Sequence, residues 1–228
     1  MGGDLATTIE HTLLRSDARA ADVAQVCDEA RKHGFAGVCI APVHVRRCAD
    51  RLEGTPVRVV TVVGFPLGAN ASTTKAVEAT TAMHAGAHEL DMVLRVDALK
   101  DGDFRTVEED VATVVGAAPR CPVKVILETA LLTDEQKVRA CEIARSAGAA
   151  FVKTSTGFGP GGATTHDVRL LRATVGDRMG VKASGGIRDT AAARALVEAG
   201  ADRIGTSAGV AIVSEAGPEQ SKPVDGGP

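Results

Sequence analysis

Tryptophan and tyrosine are both absent from this chain, and aromatic residues make up only 2% of its 228 positions. No stretch of about 18 apolar residues occurs, so no membrane-spanning helix is predicted. The 26 basic and 29 acidic residues leave a net charge of −3 and form neither a basic block nor an aromatic platform. Nucleic acids and membranes are therefore not expected among the partners of the protein.

The cysteines are too widely spaced along the sequence to indicate a disulfide framework. The five cysteines are an odd number, and no two of them form a Cys-x-x-Cys pair. This pattern predicts reduced thiols rather than a disulfide scaffold or a zinc site. The first residues also lack the basic region followed by an apolar one that marks a secretory signal. We therefore expect a cytosolic protein.

The pattern that is present throughout the chain is an alternation of strand-like and helix-like segments. Such alternation predicts a parallel sheet covered by helices. Eight strands are predicted, at 9–11, 37–41, 57–64, 89–94, 123–129 and 151–156, around Lys182, and at 202–207. A closed α/β structure, the TIM or (β/α)8 barrel, is the leading prediction, and an open doubly wound sheet is the alternative.

The predicted barrel is a single domain that spans residues 9–212, after an N-terminal extension at 1–8. Its helices include segments at 72–85 and 104–117, with a helix N-cap at Asp17 and a capping signal at Thr133-Asp134-Glu135. Residues 213–228 are rich in Pro, Gly, Ser and charge, so we expect this C-terminal tail to be disordered.

Two lysines stand within strands that otherwise look buried. Lys153 lies in the run Phe-Val-Lys-Thr-Ser-Thr-Gly, and Lys182 lies in Val-Lys-Ala-Ser-Gly-Gly. Burial of an ammonium group is unfavourable unless the group is paired, so a buried lysine tends to lose its proton and become a nucleophilic amine. Two such lysines, each followed by small residues and glycine, predict an amine site beside space for a phosphate group.

Side-chain alternation along the strands predicts which residues face the barrel centre. If the apolar residues of each strand pack under the helices, their neighbours must point inward. The inward set is Cys39, Glu89, Asp91, Lys124, Ile126, Glu128, Lys153 and Lys182. A structural alternative is that these charges are inter-strand ion pairs or lysines that snorkel at strand ends. Barrel interiors are usually filled by Val, Ile and Leu, which favours a functional interpretation.

This charged centre suggests chemistry through an imine. A nearby ammonium lowers the pKa of a lysine, and Lys182 is the candidate neighbour that would do this for Lys153. The free amine would attack a carbonyl, lose water and form an iminium that accepts electrons when a carbon–carbon bond breaks. Asp91 would stay ionised and could shuttle protons with Lys182 or a water. Lys124 belongs either to the same network or to a structural pair with Glu128.

Glycine-rich segments follow the last three predicted strands, at 157–162, 185–186 and 205–209. Their backbone N–H groups could hold an anion, and phosphate sites of such barrels commonly follow the seventh and eighth strands. Glycine also serves ordinary turns, so the position of these segments beside the two lysines is what favours a phosphorylated substrate.

Five motifs together resemble the deoxyribose-phosphate aldolase family, a class I aldolase family. They are Ile9-Glu10-His11-Thr12-Leu13-Leu14, Gly64-Phe65-Pro66-Leu67-Gly68, Glu89-Leu90-Asp91-Met92-Val93, Phe151-Val152-Lys153-Thr154-Ser155-Thr156-Gly157-Phe158 and Lys182-Ala183-Ser184-Gly185-Gly186-Ile187-Arg188. The resemblance runs from about residue 9 to residue 212. It implies an aldehyde-lyase without a cofactor that reversibly cleaves 2-deoxy-D-ribose 5-phosphate to acetaldehyde and D-glyceraldehyde 3-phosphate. A homo-oligomer, either a dimer or a tetramer, is also expected.

The resemblance also implies roles for individual residues. Lys153 would form the Schiff base, and Asp91 and Lys182 would transfer protons. The matched substrate and phosphate positions are Cys39, Lys124, Thr156, Gly157, Gly185, Gly186 and Ser207. Two features depart from the family pattern: Glu10 stands where an aspartate is usual, and the tail lacks the tyrosine that some members carry.

Three other functions fit parts of the pattern. Metal-assisted aldol cleavage needs convergent histidines and carboxylates, and the six histidines show no such spacing. A pyridoxal-phosphate enzyme would also hold a lysine as a Schiff base. A barrel that binds phosphosugars without catalysis would keep its ligand when Lys153 is removed.

Overall fold

Eight parallel strands close into a barrel in the computed structural model, which describes residues 5–215. Neighbouring strands pair in chain order, and β8 closes the barrel by pairing with β1. The strands are β1 Ile9–Leu13, β2 Gly37–Ile40, β3 Arg58–Val63, β4 Glu89–Val93, β5 Val123–Ile126, β6 Phe151–Lys153, β7 Gly180–Ser184 and β8 Arg203–Thr206. The barrel prediction is confirmed, and the open doubly wound sheet is wrong.

Within residues 5–215, nine α-helices surround the barrel. They are α1 Ala20–His33, α2 Val45–Leu52, α3 Ser72–Ala85, α4 Val96–Lys100, α5 Phe104–Ala117, α6 Asp134–Ser146, α7 Thr165–Val175, α8 Thr190–Glu198 and α9 Gly209–Glu215. None of the helices in this described part is long and apolar enough to cross a membrane.

Capping explains where two of the helices begin. Thr133 caps α6: its hydroxyl accepts from the Gln136 N–H at 3.3 Å, and the Gln136 side chain accepts from the Thr133 N–H at 3.0 Å. The predicted cap at Asp17 is wrong. Asp17 pairs with Arg15 at 2.7 Å, and the helix begins at Ala20.

The ends of the chain bear on two of the expected boundaries. Residues Leu5–Thr8 form a 3-10 turn in which Leu5 and Ala6 are buried. Helix α9 continues to Glu215, so residues 213–215 are helical, contrary to the expected disorder. The rest of the tail, 216–228, and residues 1–4 lie outside the described residues.

The two faces of the strands carry different residues. Alternate apolar side chains such as Val38, Ile40 and Leu90 belong to the main core between strands and helices. The intervening positions face the barrel centre, where a buried Asp91 replaces the usual apolar filling. This alternation is the period-two pattern of a strand, and it places the polar residues of neighbouring strands side by side.

Candidate active site

Lys153 and Lys182 are partners across the β6–β7 ladder. Both donate to Oδ2 of Asp91, Lys153 Nζ at 2.7 Å and Lys182 Nζ at 2.6 Å. Asp91 lies on β4, and all three side chains are buried. The structure therefore brings together the three residues that the sequence predicted as catalytic.

Three more charged residues extend this cluster. Lys124 Nζ lies 3.0 Å from Asp91 Oδ1 and 2.6 Å from Glu89 Oε2. Glu10 accepts from Lys182, and its other oxygen lies 3.5 Å from Lys124. Lys124 thus belongs to the charged cluster around Asp91, and its carboxylate partners are Asp91, Glu89 and Glu10 rather than Glu128.

The mutual charges decide the protonation states in this cluster. Burial raises the pKa of Asp91, but the charges of Lys124, Lys153 and Lys182 outweigh it and hold that pKa well below 3.8. Burial lowers the pKa of Lys182, but Asp91 and Glu10 outweigh it and raise that pKa above 10.5. Asp91 is therefore held as a carboxylate and Lys182 as an ammonium.

The same balance between burial and neighbouring charges applies to Glu10 and Lys124. Burial raises the pKa of Glu10, yet the charges of Lys124 and Lys182 bring it below its ordinary value. Burial lowers the pKa of Lys124, and Asp91 and Glu10 raise it above its ordinary value. Both groups are consequently charged across the neutral pH range.

Two arginines complete the charge balance from the edge of the cluster. Arg58 Nε lies 3.2 Å from Glu89, and Arg203 Nε lies 3.9 Å from Glu10. With these arginines, the three carboxylates face five cationic side chains. Asp91 therefore has cationic partners besides Lys153, namely Lys124 and Lys182, as a buried carboxylate requires.

A cavity of about 360 Å³ opens beside Lys153 at the carboxyl ends of the strands. Of the seven predicted binding residues, five line this cavity: Thr156, Gly157, Gly185, Gly186 and Ser207. Lys124 and Cys39 are not among its lining residues. Cys39 is buried beside Val60 and Val62, and burial raises the pKa of its thiol.

Backbone donors line one end of the cavity. Gly157, Gly185 and Gly186 have φ values of 84°, 91° and 76°, a conformation that glycine adopts without strain. Within the described residues, no acceptor binds the N–H groups of Gly157, Gly186 or Ser207. Three N–H groups without internal partners favour an anion at this end of the cavity.

Sequence reasoning missed several residues of the site. Glu10 was noted only as a departure, although strand alternation from Ile9 would have placed it inward. Arg15, Arg188 and Phe158 line the cavity and were not singled out. Their positions follow strands and glycines in the sequence, but loop conformation decides where such side chains point.

A cluster outside the barrel centre bears on the metal alternative. Within residues 5–215, Asp134, His166 and Asp167 bring possible ligand atoms within 4.8 Å of one another. Lys137 donates to Asp134 at 2.9 Å and to Asp167 at 2.6 Å, so one ammonium already pairs with both carboxylates. None of the four lines the cavity beside Lys153.

Comparison with known proteins gives a consistent family. A family model described as DeoC/LacD family aldolase matches residues 5–215. The chain is 55% identical over 214 residues to the deoxyribose-phosphate aldolase of Geobacillus sp. (strain WCH70), and the alignment covers 93% of this chain and 96% of that protein. It is 58% identical over 205 residues to the deoxyribose-phosphate aldolase of Streptococcus pneumoniae serotype 19F (strain G54), with 90% and 93% covered. A solved structure, described as a tetrameric deoxyribose phosphate aldolase from Aeropyrum pernix, matches with a TM-score of 0.88 and 38% identity, covering 93% of this chain and 90% of that one.

Proposed function

This chain belongs to the DeoC/LacD family of aldolases, and we propose that Lys153, Asp91 and Lys182 carry out its reaction. It is a class I aldolase that reversibly cleaves 2-deoxy-D-ribose 5-phosphate to acetaldehyde and D-glyceraldehyde 3-phosphate. The reaction serves the catabolism of deoxyribose phosphate.

The observation that carries the role of Lys153 is its access to the cavity. Lys124, Lys153 and Lys182 all meet at Asp91, but among them only Lys153 lines the cavity. Lys124 and Lys182 are fully enclosed, each with a relative exposure of 0%. A carbonyl that enters the cavity therefore meets one amine of the three, which favours Lys153 as the nucleophile.

The chemistry proceeds through a covalent imine. The unprotonated Lys153 Nζ attacks C1 of the open-chain sugar, and the carbinolamine loses water to give an iminium. A base removes the proton of the C3 hydroxyl and the C2–C3 bond breaks. Its electron pair forms the C1=C2 bond of an enamine, and the π electrons of the iminium become the lone pair of the nitrogen. D-Glyceraldehyde 3-phosphate leaves, C2 takes up a proton, and water releases acetaldehyde from Lys153.

Asp91 and Lys182 are placed to move these protons. The causes that hold the pKa of Asp91 down include the charges of three lysines. When the Lys153 nitrogen is uncharged, as in the free amine, the carbinolamine and the enamine, one of these causes is removed and Asp91 becomes a better base. The ammonium of Lys182 can replace the proton, since it donates to the same Asp91 oxygen at 2.6 Å.

The substrate phosphate is assigned to the glycine end of the cavity. The free N–H groups of Gly157, Gly186 and Ser207 support this assignment, as does the cationic side chain of Arg188, which also lines the cavity. A phosphate there would leave the sugar to extend toward Lys153, which lines the same cavity. Because the iminium itself accepts the electrons, the proposal includes no cofactor.

Borohydride trapping tests the proposal. Reduction in the presence of acetaldehyde should fix a covalent adduct on Lys153, located by peptide mapping, and Lys153→Ala should abolish both adduct and turnover. Lys100→Ala, on the exposed side of α4, is the matched control and should keep both. An adduct on Lys124 or Lys182 in the wild-type enzyme would refute the role assignment.

Two broader properties remain proposals. The tetrameric relative from Aeropyrum pernix supports a homo-oligomer, which light scattering of the purified protein would measure. All five cysteines are free thiols in the structure, which supports a reducing, cytosolic location.

A further inference from the structure

Glu128 has a backbone conformation that an L-residue with a side chain rarely adopts. It follows β5 with φ 56° and ψ 61°, and it is the one non-glycine residue with a positive φ in the described part of the chain. This conformation is unfavourable for any residue with a Cβ, whereas glycine adopts it freely. A glutamate at such a position indicates that its side chain has a task there.

The neighbours of Glu128 hold it at the end of β6. The Leu127 N–H donates to the Lys153 carbonyl at 2.9 Å, and the Thr129 N–H donates to the Thr154 carbonyl at 3.0 Å. The residue between these two bonds is therefore fixed on both sides. Its left-handed turn directs the carboxylate over the segment that follows Lys153.

The carboxylate of Glu128 binds this segment directly. Its Oε2 accepts from the Thr156 hydroxyl at 2.5 Å and from the Thr156 N–H at 3.3 Å. The Thr156 oxygen in turn accepts from the Phe158 N–H at 3.0 Å. Glu128 thus fixes the turn through one continuous chain of hydrogen bonds.

Packing against Gly159 closes the same turn around the carboxylate. A Cβ at Gly159 would lie 2.8 Å from Cδ of Glu128, so only glycine lets the backbone come this close. Glu128 is 5% exposed and does not line the cavity, whereas Thr156, Gly157 and Phe158 do. The glutamate therefore acts on the cavity through the turn and not by touching a ligand.

We propose that Glu128 is a positioning residue for substrate phosphate: its carboxylate sets the 156–159 turn so that the free Gly157 N–H faces the anion. The Thr156 hydroxyl donates its hydrogen bond to Glu128, so this hydroxyl is not available to donate a hydrogen bond to the phosphate. The inference rests on the proposed function, since it assumes that the phosphate lies at the glycine end of the cavity.

Two substitutions separate positioning from a structural role. Glu128→Gly suits the backbone conformation and removes the carboxylate, so the fold should survive while the KM for 2-deoxy-D-ribose 5-phosphate rises roughly tenfold or more, as expected for the loss of a charged hydrogen bond. Glu128→Gln keeps one acceptor oxygen, so its KM should lie between the KM of the Glu128→Gly variant and that of the wild-type enzyme. The kcat of both variants, and their kcat/KM for unphosphorylated 2-deoxy-D-ribose, should change by less than about threefold. Glu142→Gln, an exposed glutamate of α6 that pairs with Arg139 at 3.1 Å, is the control.

A double-substitution cycle tests the hydrogen-bond chain itself. Thr156→Val should raise the same KM, and Glu128→Gly combined with Thr156→Val should be no worse than the poorer single variant, because both act through one contact. Additive effects, or equal losses with the phosphorylated and unphosphorylated sugar, would overturn the proposal.

Phosphate binding provides a readout that does not need turnover. Titration with inorganic phosphate should give a dissociation constant roughly tenfold weaker for Glu128→Gly than for wild type. If acetaldehyde is not trapped on Lys153, the proposed function fails while this titration still decides the role of Glu128. Normal trapping with unchanged phosphate affinity would instead overturn the role of Glu128 alone.

Discussion

Lys153 and Lys182 donate to the same oxygen of Asp91, at 2.7 and 2.6 Å, but only Lys182 has a second carboxylate partner, Glu10. This asymmetry divides the roles of two lysines that occupy paired positions on neighbouring strands. Lys182 is bound by two negative charges and stays an ammonium. Lys153 contacts one carboxylate and lines the cavity, so it is the lysine of the pair that a substrate carbonyl can reach.

Replacing Lys182 by methionine should therefore change how the rate depends on pH. Without the neighbouring ammonium, protonation of Lys153 becomes more favourable, and the acidic limb of the kcat/KM profile should move to higher pH. The kcat should also fall by roughly 10²-fold or more, because a proton donor is lost. Steady-state rates between about pH 5 and pH 10 measure both effects.

Lys137→Met is the matched control for this substitution. Lys137 is also buried and paired with two carboxylates, Asp134 and Asp167, but it lies outside the cavity. Its replacement should lower stability and leave the pH profile in place. An acidic limb that stays at the wild-type pH in Lys182→Met would contradict the influence of Lys182 on Lys153.

The charged cluster should also shape how stability depends on pH. Asp91 and Glu10 have pKa values below their ordinary 3.8 and 4.5, so their contribution is present above those values and is lost as pH falls through the folded pKa. The pKa values of Lys124 and Lys182 are raised above 10.5. The contribution of these lysines to stability is therefore full below that value and is lost as pH rises through the folded pKa.

Thermal unfolding measured across pH should therefore give a plateau in Tm at neutral pH and a fall at both extremes. The decline should begin below about pH 4.5 on the acid side and above about pH 10.5 on the alkaline side. In Glu10→Gln one of the two acid-sensitive carboxylates of this cluster is absent, so the acid decline should be shallower. A Tm that rises on acidification below pH 4.5 would show that these carboxylates do not stabilise the fold as ions.

Much of this site follows from strand alternation. Once Leu90 and Met92 are assigned to the core, Asp91 must point inward, and the same rule orients Lys124, Lys153 and Lys182. Their meeting at one point required only that the strands be neighbours in chain order, which the βα repeats indicated.

What the sequence could not provide depends on contacts between distant segments. The pairing of Glu10 with Lys182 needs β1 to close on β8, which is a property of the whole barrel. Strand β5 ends at Ile126 instead of continuing to residue 129, because the turn at Glu128 is stabilised by bonds to β6 that alternation does not reveal. The motif match placed Cys39 in the substrate pocket, whereas the structure packs it beside Val60 and Val62.

Gly186→Ala should weaken phosphate binding specifically. Gly186 lines the cavity at φ 76°, and no atom lies within 4 Å of the position that an added Cβ would take. The new methyl group would enter open space beside the free N–H donors, so the KM for the phosphorylated sugar should rise, by roughly tenfold if one hydrogen bond to the anion is lost. Steady-state kinetics with phosphorylated and unphosphorylated sugar measure this difference.

Gly102→Ala separates backbone strain from a blocked site. Gly102 has φ 77° and equally open surroundings, but it lies between α4 and α5, outside the cavity. Both substitutions should lower stability by about 1–2 kcal/mol through the left-handed backbone, and only Gly186→Ala should raise the KM. An equal KM in the two variants would remove Gly186 from the phosphate site.

A buried lysine outside the cavity should behave differently from the three at the centre. Lys75 of α3 is fully buried, and its Nζ donates to Asp110 at 2.6 Å and to the Val93 carbonyl at 3.0 Å. Burial lowers the pKa of Lys75, and the charge of Asp110 opposes this effect. Lys75→Met leaves Asp110 buried without its cation, which should lower the free energy of unfolding by about 3–5 kcal/mol. Replacing both residues, as Lys75→Met with Asp110→Leu, should recover most of that loss because apolar packing often substitutes for a buried ion pair. Denaturant unfolding measures these changes. The kcat and KM should stay at wild-type values in both variants. A large loss of kcat in the stable double variant would contradict this prediction, because it would show that Lys75 takes part in the reaction without access to the cavity.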